Sequence, residues 1–368
     1  EKPPRQTQEK QRKQPPEKPP RQTQEKQRKQ PPEKLPRQTP AKLLPHECER
    51  MGGFINKYNS CYFDSLLYAL FYERNNFIDQ SILYVDVDSL YIPDTNILLN
   101  TIKELYDVTK MIQLLLREAQ NKIHSNVGNN NIDELRQAFM QYDNIYSKHG
   151  GSVEHIDWLK SPLSPFDVIV HLNMIFNPPH MTQYNLHKLL GTNPDDLTDI
   201  REDESSVVTT SYIKEIHQNS ISKLSDGTYS DLEDSIKLSE LINETEVITI
   251  DNKKDYIDGV YSVFIKSYEL ISTPVLFVNI QRLAGSFNIA EQHKINTVII
   301  PEELMDVGDR TLRLKSVIVH TGSCKSGHYV TYLECANEWY YYNDVKFEKL
   351  LKLGTFDDLV HNSAHWSN

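Results

Sequence analysis

The sequence predicts an α+β protein, with helices in its first half and antiparallel strands in its second half. Apolar residues recur at three- and four-residue steps over 98–115 and again over 132–140, a spacing typical of amphipathic helices. After about residue 247 the pattern changes to short apolar runs of strand length, at 275–280, 297–300, 316–320 and 328–334. Helices followed by strands in this order are typical of the α+β class.

The first 42 residues differ from the rest of the chain. Residues 1–16 recur unchanged at 17–32, and a third, decayed copy begins at Glu33. The repeat contains paired prolines and no apolar residue, so it cannot bury a core and is expected to be extended and disordered. We therefore predict a tail over 1–42 and a catalytic domain over 43–368, with an acidic, irregular insertion at about 192–240. A solvated spacer is a better interpretation of the tail than an electrostatic tether.

Charge is unevenly distributed along the chain. The tail carries eight Lys, five Arg and five Glu, a net charge of +8, whereas the whole chain carries −11. The remainder therefore carries −19, which argues against nucleic acid as a partner of the domain. The sequence has no apolar run long enough to cross a bilayer and no secretory signal, so no membrane association is predicted.

Four cysteines occur in the chain, at positions 48, 61, 324 and 335. None belongs to a Cys-x-x-Cys pair, so the sequence predicts no zinc site, no other metal site and no cofactor. Four cysteines in a chain of this length do not form the pattern of a disulfide framework, which favours a reducing cytoplasmic or nuclear location. The abundance of Asn, Ile, Lys and Tyr, with the duplicated tail, is consistent with a viral protein that acts in a host cell.

One of these cysteines stands at the start of an apolar helix. Residues 56–60 form a polar turn, Cys61 follows it, and residues 65–71 continue as a predicted helix. Backbone N–H groups at a helix N-terminus stabilise the reactive thiolate. A buried structural cysteine is an equally good interpretation of this segment taken alone.

A histidine begins one strand of a predicted hairpin. If the turn between 328–334 and 339–342 centres on Ala336, His328 faces Asp344, and a shift of half a residue puts Asn343 opposite instead. Either side chain could orient the imidazole ring, as the third member of a Cys–His–Asn/Asp triad does. The alternative is an isolated strand histidine with no catalytic role.

The two segments resemble the catalytic boxes of ubiquitin-specific proteases. Residues 56–67 resemble the Cys box, Asn-x-Gly-Asn-Thr-Cys-Tyr-x-Asn-Ser-x-Leu-Gln, with Tyr58 in place of the usual Gly and Asp64 in place of the usual Asn. This variant is similar to the cylindromatosis-type branch. Residues 327–332 and 339–344 resemble the His box, Gly-His-Tyr-x-x-Tyr followed by Trp-Tyr-x-Phe-(Asp/Asn)-Asp. Three weaker matches lie between the boxes in the family's order, at 167–176, 275–283 and 294–304.

The resemblance implies a papain-like fold with a helical thumb, an antiparallel β palm and β fingers. It implies that Cys61 is the nucleophile and His328 the general base, with Asn343 as third triad member. Asn56 matches the side chain that donates to the oxyanion, and Asp344 the acidic position that assists. Because the paired Cys-x-x-Cys motifs of many relatives are absent, the fingers are expected to be reduced and free of zinc.

The implied function is that of a thiol protease that cleaves after the C-terminal glycine of ubiquitin, with ubiquitin or polyubiquitin conjugates as partners. Asp167 matches the family's acidic position for the arginines of the ubiquitin tail, although a helix N-terminal charge explains it equally well. Two alternatives are a catalytically inactive module that binds ubiquitin and a Cys–His protease for another ubiquitin-like modifier.

Overall fold

The computed structural model describes parts of the chain from residue 43 to residue 361. The gaps within this span are 75, 91–98, 126–129, 149–155, 162, 177–182, 192–200, 203–206, 211–212, 217–234, 244–245, 250–260, 270–274, 285–292, 296, 308–309, 324–325, 346 and 348. The predicted tail over 1–42 lies outside the described residues.

The described helices lie mainly in the first half of the chain, as predicted. They are α1 (Pro45–Cys48), α2 (Cys61–Phe71), α3 (Val87–Leu90), α4 (Leu99–Ile123), α5 (Asp133–Lys148), α6 (Pro165–Phe176), α7 (Leu238–Asn243) and α8 (Phe356–His361), with a π-helical turn at Asp79–Leu83. Helices α4 and α5 carry the two predicted amphipathic stripes. Every residue of α2 is buried, and this is why its sequence is apolar around most of its circumference.

The described strands lie in the second half. They are β1 (Gln183–Gly191), β2 (Arg201–Glu202), β3 (Val207–Thr210), β4 (Ile213–Ile216), β5 (Ser235–Lys237), β6 (Glu246–Thr249), β7 (Tyr261–Glu269), β8 (Phe277–Ile280), β9 (Leu283–Ala284), β10 (His293–Lys294), β11 (Val298–Ile300), β12 (Leu304–Val307), β13 (Arg310–Arg313), β14 (Ser316–Gly322), β15 (Gly327–Cys335), β16 (Glu338–Tyr342) and β17 (Leu351–Gly354). Within the predicted insertion at 192–240 the described parts include β2 to β5, and the rest lies outside the described residues.

The strands that carry the site form one antiparallel sheet in the order β14–β15–β16–β17, which we call the palm sheet. A second antiparallel sheet has the order β2–β1–β7–β6, with β3 also paired to β1. The prediction of antiparallel strands is confirmed in these sheets, but β4 with β8 and β5 with β11 are parallel pairs. Short apolar runs do not reveal strand direction, so the sequence could not predict these two pairs.

The predicted hairpin joins β15 to β16 through a two-residue turn. Ala336 and Asn337 occupy the turn with φ of 57° and 65°, the left-handed conformation that tight hairpin turns require. Cys335 pairs with Glu338, so the turn centre lies between 336 and 337. The predicted register was therefore wrong: in the observed register position 328 would face position 345, beyond the end of β16.

Helix α2 packs directly against the palm sheet, and this contact brings the two catalytic boxes together. The rings of Tyr68 and Tyr342 stack with their centroids 3.9 Å apart. Thr331 donates its hydroxyl to the backbone carbonyl of Ser65 at 2.9 Å. Since both contacts are buried, the helix that begins with Cys61 is fixed in position against the two strands of the hairpin.

A disulfide joins Cys48 of α1 to Cys335 at the end of β15, with an S–S distance of 2.05 Å. Both residues are buried in the main core. One bond is not a disulfide framework, but this pairing was not predicted from the sequence. The two positions are 287 residues apart, so no local spacing in the sequence indicated that they meet.

Candidate active site

The turn before Cys61 has an unusual backbone. Tyr58 and Asn59 have φ of 51° and 58°, in the left-handed region that costs most side chains about 1 kcal/mol or more. Asn tolerates this region well, whereas Tyr does not. This conformation explains why the Cys-box pattern carries Gly at the first of these positions. The Tyr58 side chain is 70% exposed at the entrance to the turn.

A fully buried arginine holds this turn in place. Arg136 of α5 donates from Nη1 to the carbonyl of Lys57 and from Nη2 to that of Tyr58, each at 3.0 Å. Its Nε donates to the carbonyl of Trp158 at 2.9 Å. Arg136 was not predicted from the sequence to be part of the site. One feature of the sequence could have indicated a buried arginine: Arg136 stands four residues after Ile132, within the apolar stripe of α5.

The partners of this arginine are themselves fixed. Trp158 donates its indole N–H to Oδ2 of Asp143 at 2.8 Å, and Oδ1 of the same carboxylate lies 2.5 Å from Nε2 of His171. Tyr62, the residue after the cysteine, donates its hydroxyl to the carbonyl of Trp158 at 2.8 Å. This buried network ties α5 and α6 to the start of α2.

Cys61 is the first residue of α2 and is 8% exposed. Burial raises the pKa of the Cys61 thiol, and the carboxyl groups of Asp344 and Asp64 raise it further, against hydrogen bonds from the backbone of Tyr329 and Tyr62 that lower it. Burial is the largest of these contributions to the pKa of Cys61. A thiol with a raised pKa reacts as a nucleophile when a neighbouring base removes its proton.

His328 lies at the start of β15, next to Tyr329, whose backbone reaches the Cys61 sulfur. Its Nε2 is 3.0 Å from Oδ1 of Asn343 and 3.3 Å from Oδ1 of Asp344. Both residues named from the sequence therefore meet the same ring nitrogen. The chain turns away after β16 ends at Tyr342, which brings both side chains to the ring despite the error in register.

The amide of Asn343 has a fixed orientation. Its Nδ2 donates to the hydroxyl of Tyr341 at 3.0 Å, and its Oδ1 accepts from the backbone N–H of Val345 at 3.0 Å. These two contacts assign the oxygen to the side that faces His328. The ring is therefore held through Nε2.

Asp344 lies beneath this arrangement and is 3% exposed. Burial raises the pKa of Asp344, whereas contacts with Asp64, His328 and Asn56 lower it. The side chain of Asn56 thus lies beside Asp344. The structure brings Cys61 and the four other catalytic candidates into one cluster.

The family model described as ubiquitin carboxyl-terminal hydrolase matches residues 52–355. The chain belongs to this family. It is a cysteine-type deubiquitinase, with the papain-like arrangement of helical thumb and β palm that the sequence predicted.

Solved structures show the same fold. The SAGA DUB module of Ubp8, Sgf11, Sus1 and Sgf73 bound to monoubiquitin matches with a TM-score of 0.52 and 11% identity, over 88% of this chain and 69% of the matched chain. The SAGA DUB module of the same four proteins bound to ubiquitin aldehyde matches with a TM-score of 0.51, at the same identity and coverage. No curated protein sequence matches the chain.

Steric contacts explain why the residue before His328 in this hydrolase is a glycine, Gly327. A Cβ on Gly327 would collide with the ring of His320 and with the carbonyl of Thr321 on the neighbouring strand. Any larger residue would push β15 away from β14 at the point where His328 enters the site.

Asp167 is the third residue of α6, and its carboxylate accepts from both the backbone N–H and the hydroxyl of Ser164, each at 2.7 Å. This is a capping box, so the helix-terminal interpretation of Asp167 is correct. Burial raises the pKa of Tyr329, and the nearby groups of Cys61 and Asp167 raise it further, so Asp167 also lies near Tyr329. The capping role does not exclude a position close to Cys61.

Within the described parts of the chain, no group of three His, Cys, Asp or Glu side chains lies close enough to hold a metal. Nor does any described helix have the length and apolar character needed to cross a membrane. Cys324 lies outside the described residues. A cavity of about 670 Å³ lies between α4 and α5, and none of the catalytic candidates of the hydrolase lines it.

Proposed function

We propose that the chain hydrolyses the peptide or isopeptide bond after the C-terminal glycine of ubiquitin through a thioester on Cys61. The observation that carries this proposal is the cluster at the α2–β15 contact. A cysteine at a helix N-terminus lies against the strand that carries His328 as its second residue, and that histidine has two oxygen acceptors on Nε2. The family match supplies the substrate class.

Proton transfer follows from the orientation of the ring. With Nε2 held by Asn343 and Asp344, Nδ1 takes the thiol proton as the sulfur attacks the glycine carbonyl. The resulting imidazolium carries its positive charge beside the buried Asp344 carboxylate, which stabilises it. The same nitrogen then returns the proton to the leaving amine, and water hydrolyses the thioester.

The negative charge that develops on the oxygen of the tetrahedral intermediate needs hydrogen-bond donors to stabilise it. Asn56 comes from the turn before the cysteine, and the first backbone N–H groups of α2 have no partner within the helix. Such donors usually contribute about 3 kcal/mol to transition-state stabilisation. The contact between Asn56 and Asp344 would fix the amide so that its N–H groups point in a defined direction.

Asp167 is proposed to contact the arginines of the ubiquitin tail. It is partly exposed, it lies near Tyr329, and its carboxylate has one oxygen committed to Ser164. The strongly acidic composition of the domain favours a basic peptide as a binding partner.

The test is a ubiquitin probe with a cysteine-reactive group at its C-terminus. The intact chain and a Cys324→Ala variant should each gain the mass of one ubiquitin, and a Cys61→Ala variant should gain none. Absence of an adduct on folded protein would contradict the proposal. Binding of unmodified ubiquitin without an adduct would indicate an inactive binding module. An adduct only with a probe made from another modifier would indicate a different substrate.

A further inference from the structure

Two buried carboxyl groups face each other beneath the site. Asp64, on the first turn of α2, has no exposed surface, and Asp344, after β16, is 3% exposed. The two carboxyl groups are close enough for each to shift the pKa of the other. Two carboxylates cannot hydrogen-bond unless one of them carries a proton, because an ionised carboxylate is only an acceptor.

The available donors do not satisfy these groups. Ser60 donates its hydroxyl to Oδ2 of Asp64 at 2.6 Å. Oδ1 of Asp64 and both carboxyl oxygens of Asp344 lack a well-formed hydrogen bond among the described residues. The donors nearest to Asp344 are Nε2 of His328, 3.3 Å from its Oδ1, and the side chain of Asn56. Buried oxygens of this kind are rare in native proteins and usually indicate a proton, a water or an ion.

The surrounding charges do not remove the need for a proton. Burial raises the pKa of Asp64 well above its usual range, and the neighbouring Asp344 raises it further, whereas Ser60 and Arg136 lower it. Arg136 directs its hydrogen bonds at three backbone carbonyls, and its charge is the last of these contributions to the pKa of Asp64. The other titratable groups that face the pair are Cys61, Tyr62, His328 and Tyr342.

We propose that Asp64 and Asp344 share one proton, held mainly by Asp64, and that this proton positions Asp344 beneath His328 and Asn56. The neutral Asp64 is then a hydrogen-bond donor to Asp344, and the pair carries a single negative charge. That charge lies on the carboxylate beside His328, where the imidazolium forms. Asp64 is thus a positioning residue that acts through Asp344.

Loss of the shared proton would have two consequences. A second negative charge would be buried a turn away from Cys61, which opposes formation of the thiolate. Repulsion between the carboxylates would also move Asp344 away from the Asn56 amide that donates to it. The structural part of this inference does not depend on the substrate, whereas its effect on turnover rests on the proposed function.

The first experiment compares thermal unfolding of the wild-type chain and Asp64→Asn from pH 5 to pH 8. A carboxyl with a raised pKa in the folded state keeps a proton that the unfolded chain releases above about pH 4. Its stabilising effect is therefore lost as the pH rises towards the folded pKa. The amide donates to Asp344 at every pH, so the Tm of Asp64→Asn relative to wild type should increase from pH 5 to pH 8.

Asp143→Asn is the matched control. Asp143 is equally buried, but both of its oxygens already have donors or a histidine partner. Its amide variant should have a lower Tm than wild type at both pH values. If Asp64→Asn behaves in the same way, with a Tm deficit that does not change with pH, then Asp64 is an ordinary ionised carboxylate and the proposal is overturned.

The second experiment measures kcat/KM on a fluorogenic ubiquitin substrate over the same range and up to pH 9.5. Asp64→Asn should retain wild-type kcat/KM to within about threefold at pH 6.5 and lack the alkaline decline of the wild type. Identical alkaline limbs in the two proteins would contradict the catalytic part of the inference. If the wild type does not react with ubiquitin at all, the proposed function fails, while the unfolding data still decide whether the proton is shared.

Discussion

Arg136 of α5 donates a hydrogen bond from Nη2 to the backbone carbonyl of Tyr58, three residues before the cysteine. The arginine comes from a helix that contributes no group to the chemistry, yet it fixes the left-handed turn that aims α2 at the palm sheet. The position of Cys61 therefore depends on a buried charge that donates to three backbone carbonyls and forms an ion pair with Asp133 at 3.7 Å.

Arg136→Lys should destabilise the fold and lower activity together. Lysine keeps the charge but cannot donate to three carbonyls at once, so about 3 kcal/mol of unfolding free energy should be lost. Urea denaturation and kcat/KM measure the two effects. Arg117→Lys is the control, because Arg117 of α4 donates to a single backbone carbonyl and is partly exposed. Equal loss of activity in both variants would contradict the role of Arg136.

Tyr58→Gly should stabilise the protein despite the loss of a large side chain. Glycine removes the steric cost of φ 51°, about 1 kcal/mol, and the ring that is lost is mostly exposed. Tyr84→Gly is a matched comparison, since Tyr84 is also exposed but has an ordinary φ of −119°. The Tm should rise for the first variant and fall for the second, and a fall in both would show that the turn is not strained.

Asn343 and Asp344 should be partly redundant as orienting groups for His328. Asn343→Ala should lower kcat/KM by about tenfold, because Asp344 still reaches the same ring nitrogen, and the double alanine variant by about a thousandfold. Asn144→Ala on the exposed surface of α5 should have no effect. A single substitution as severe as the double one would show that only one of the two residues orients the ring.

The alkylation rate of Cys61 should keep rising above pH 8.5. Burial raises the pKa of this thiol, so the reactive thiolate remains a minor species at neutral pH and increases up to that pKa. Iodoacetamide labelling of a Cys324→Ala variant, followed by mass spectrometry, isolates Cys61 because Cys48 and Cys335 are bonded. A rate that levels off below pH 7 would indicate a preformed thiolate and contradict this prediction.

Reduction of the disulfide should lower stability without abolishing the fold. A crosslink that closes so long a loop contributes about 2–5 kcal/mol. The Tm of the wild type should fall on addition of dithiothreitol, and the Tm of a variant with Cys48→Ala and Cys335→Ala should be unchanged by it. Insensitivity of the wild type to the reductant would mean that the bond contributes nothing measurable in solution.

The sequence predicted the parts of the site that depend on local patterns. The polar turn before Cys61 and the hairpin that carries His328 both have short-range signals, and both are confirmed as structural elements. The register of the hairpin was wrong because the turn centre differs by half a residue from the one assumed. The contacts of Arg136 and the bond between Cys48 and Cys335 join distant parts of the chain, and no local pattern specifies such pairs.

The disulfide also changes how the chain bears a mechanical load. Residues 48 to 335 form a closed covalent ring, and the repeat sequence continues from it on the N-terminal side. A force applied to that segment reaches Cys48 and passes through the disulfide to the end of β15, the strand that carries His328. The contacts of α1 therefore do not bear the whole force. A single backbone cut anywhere inside the ring would likewise leave the two pieces tethered until a reductant releases them.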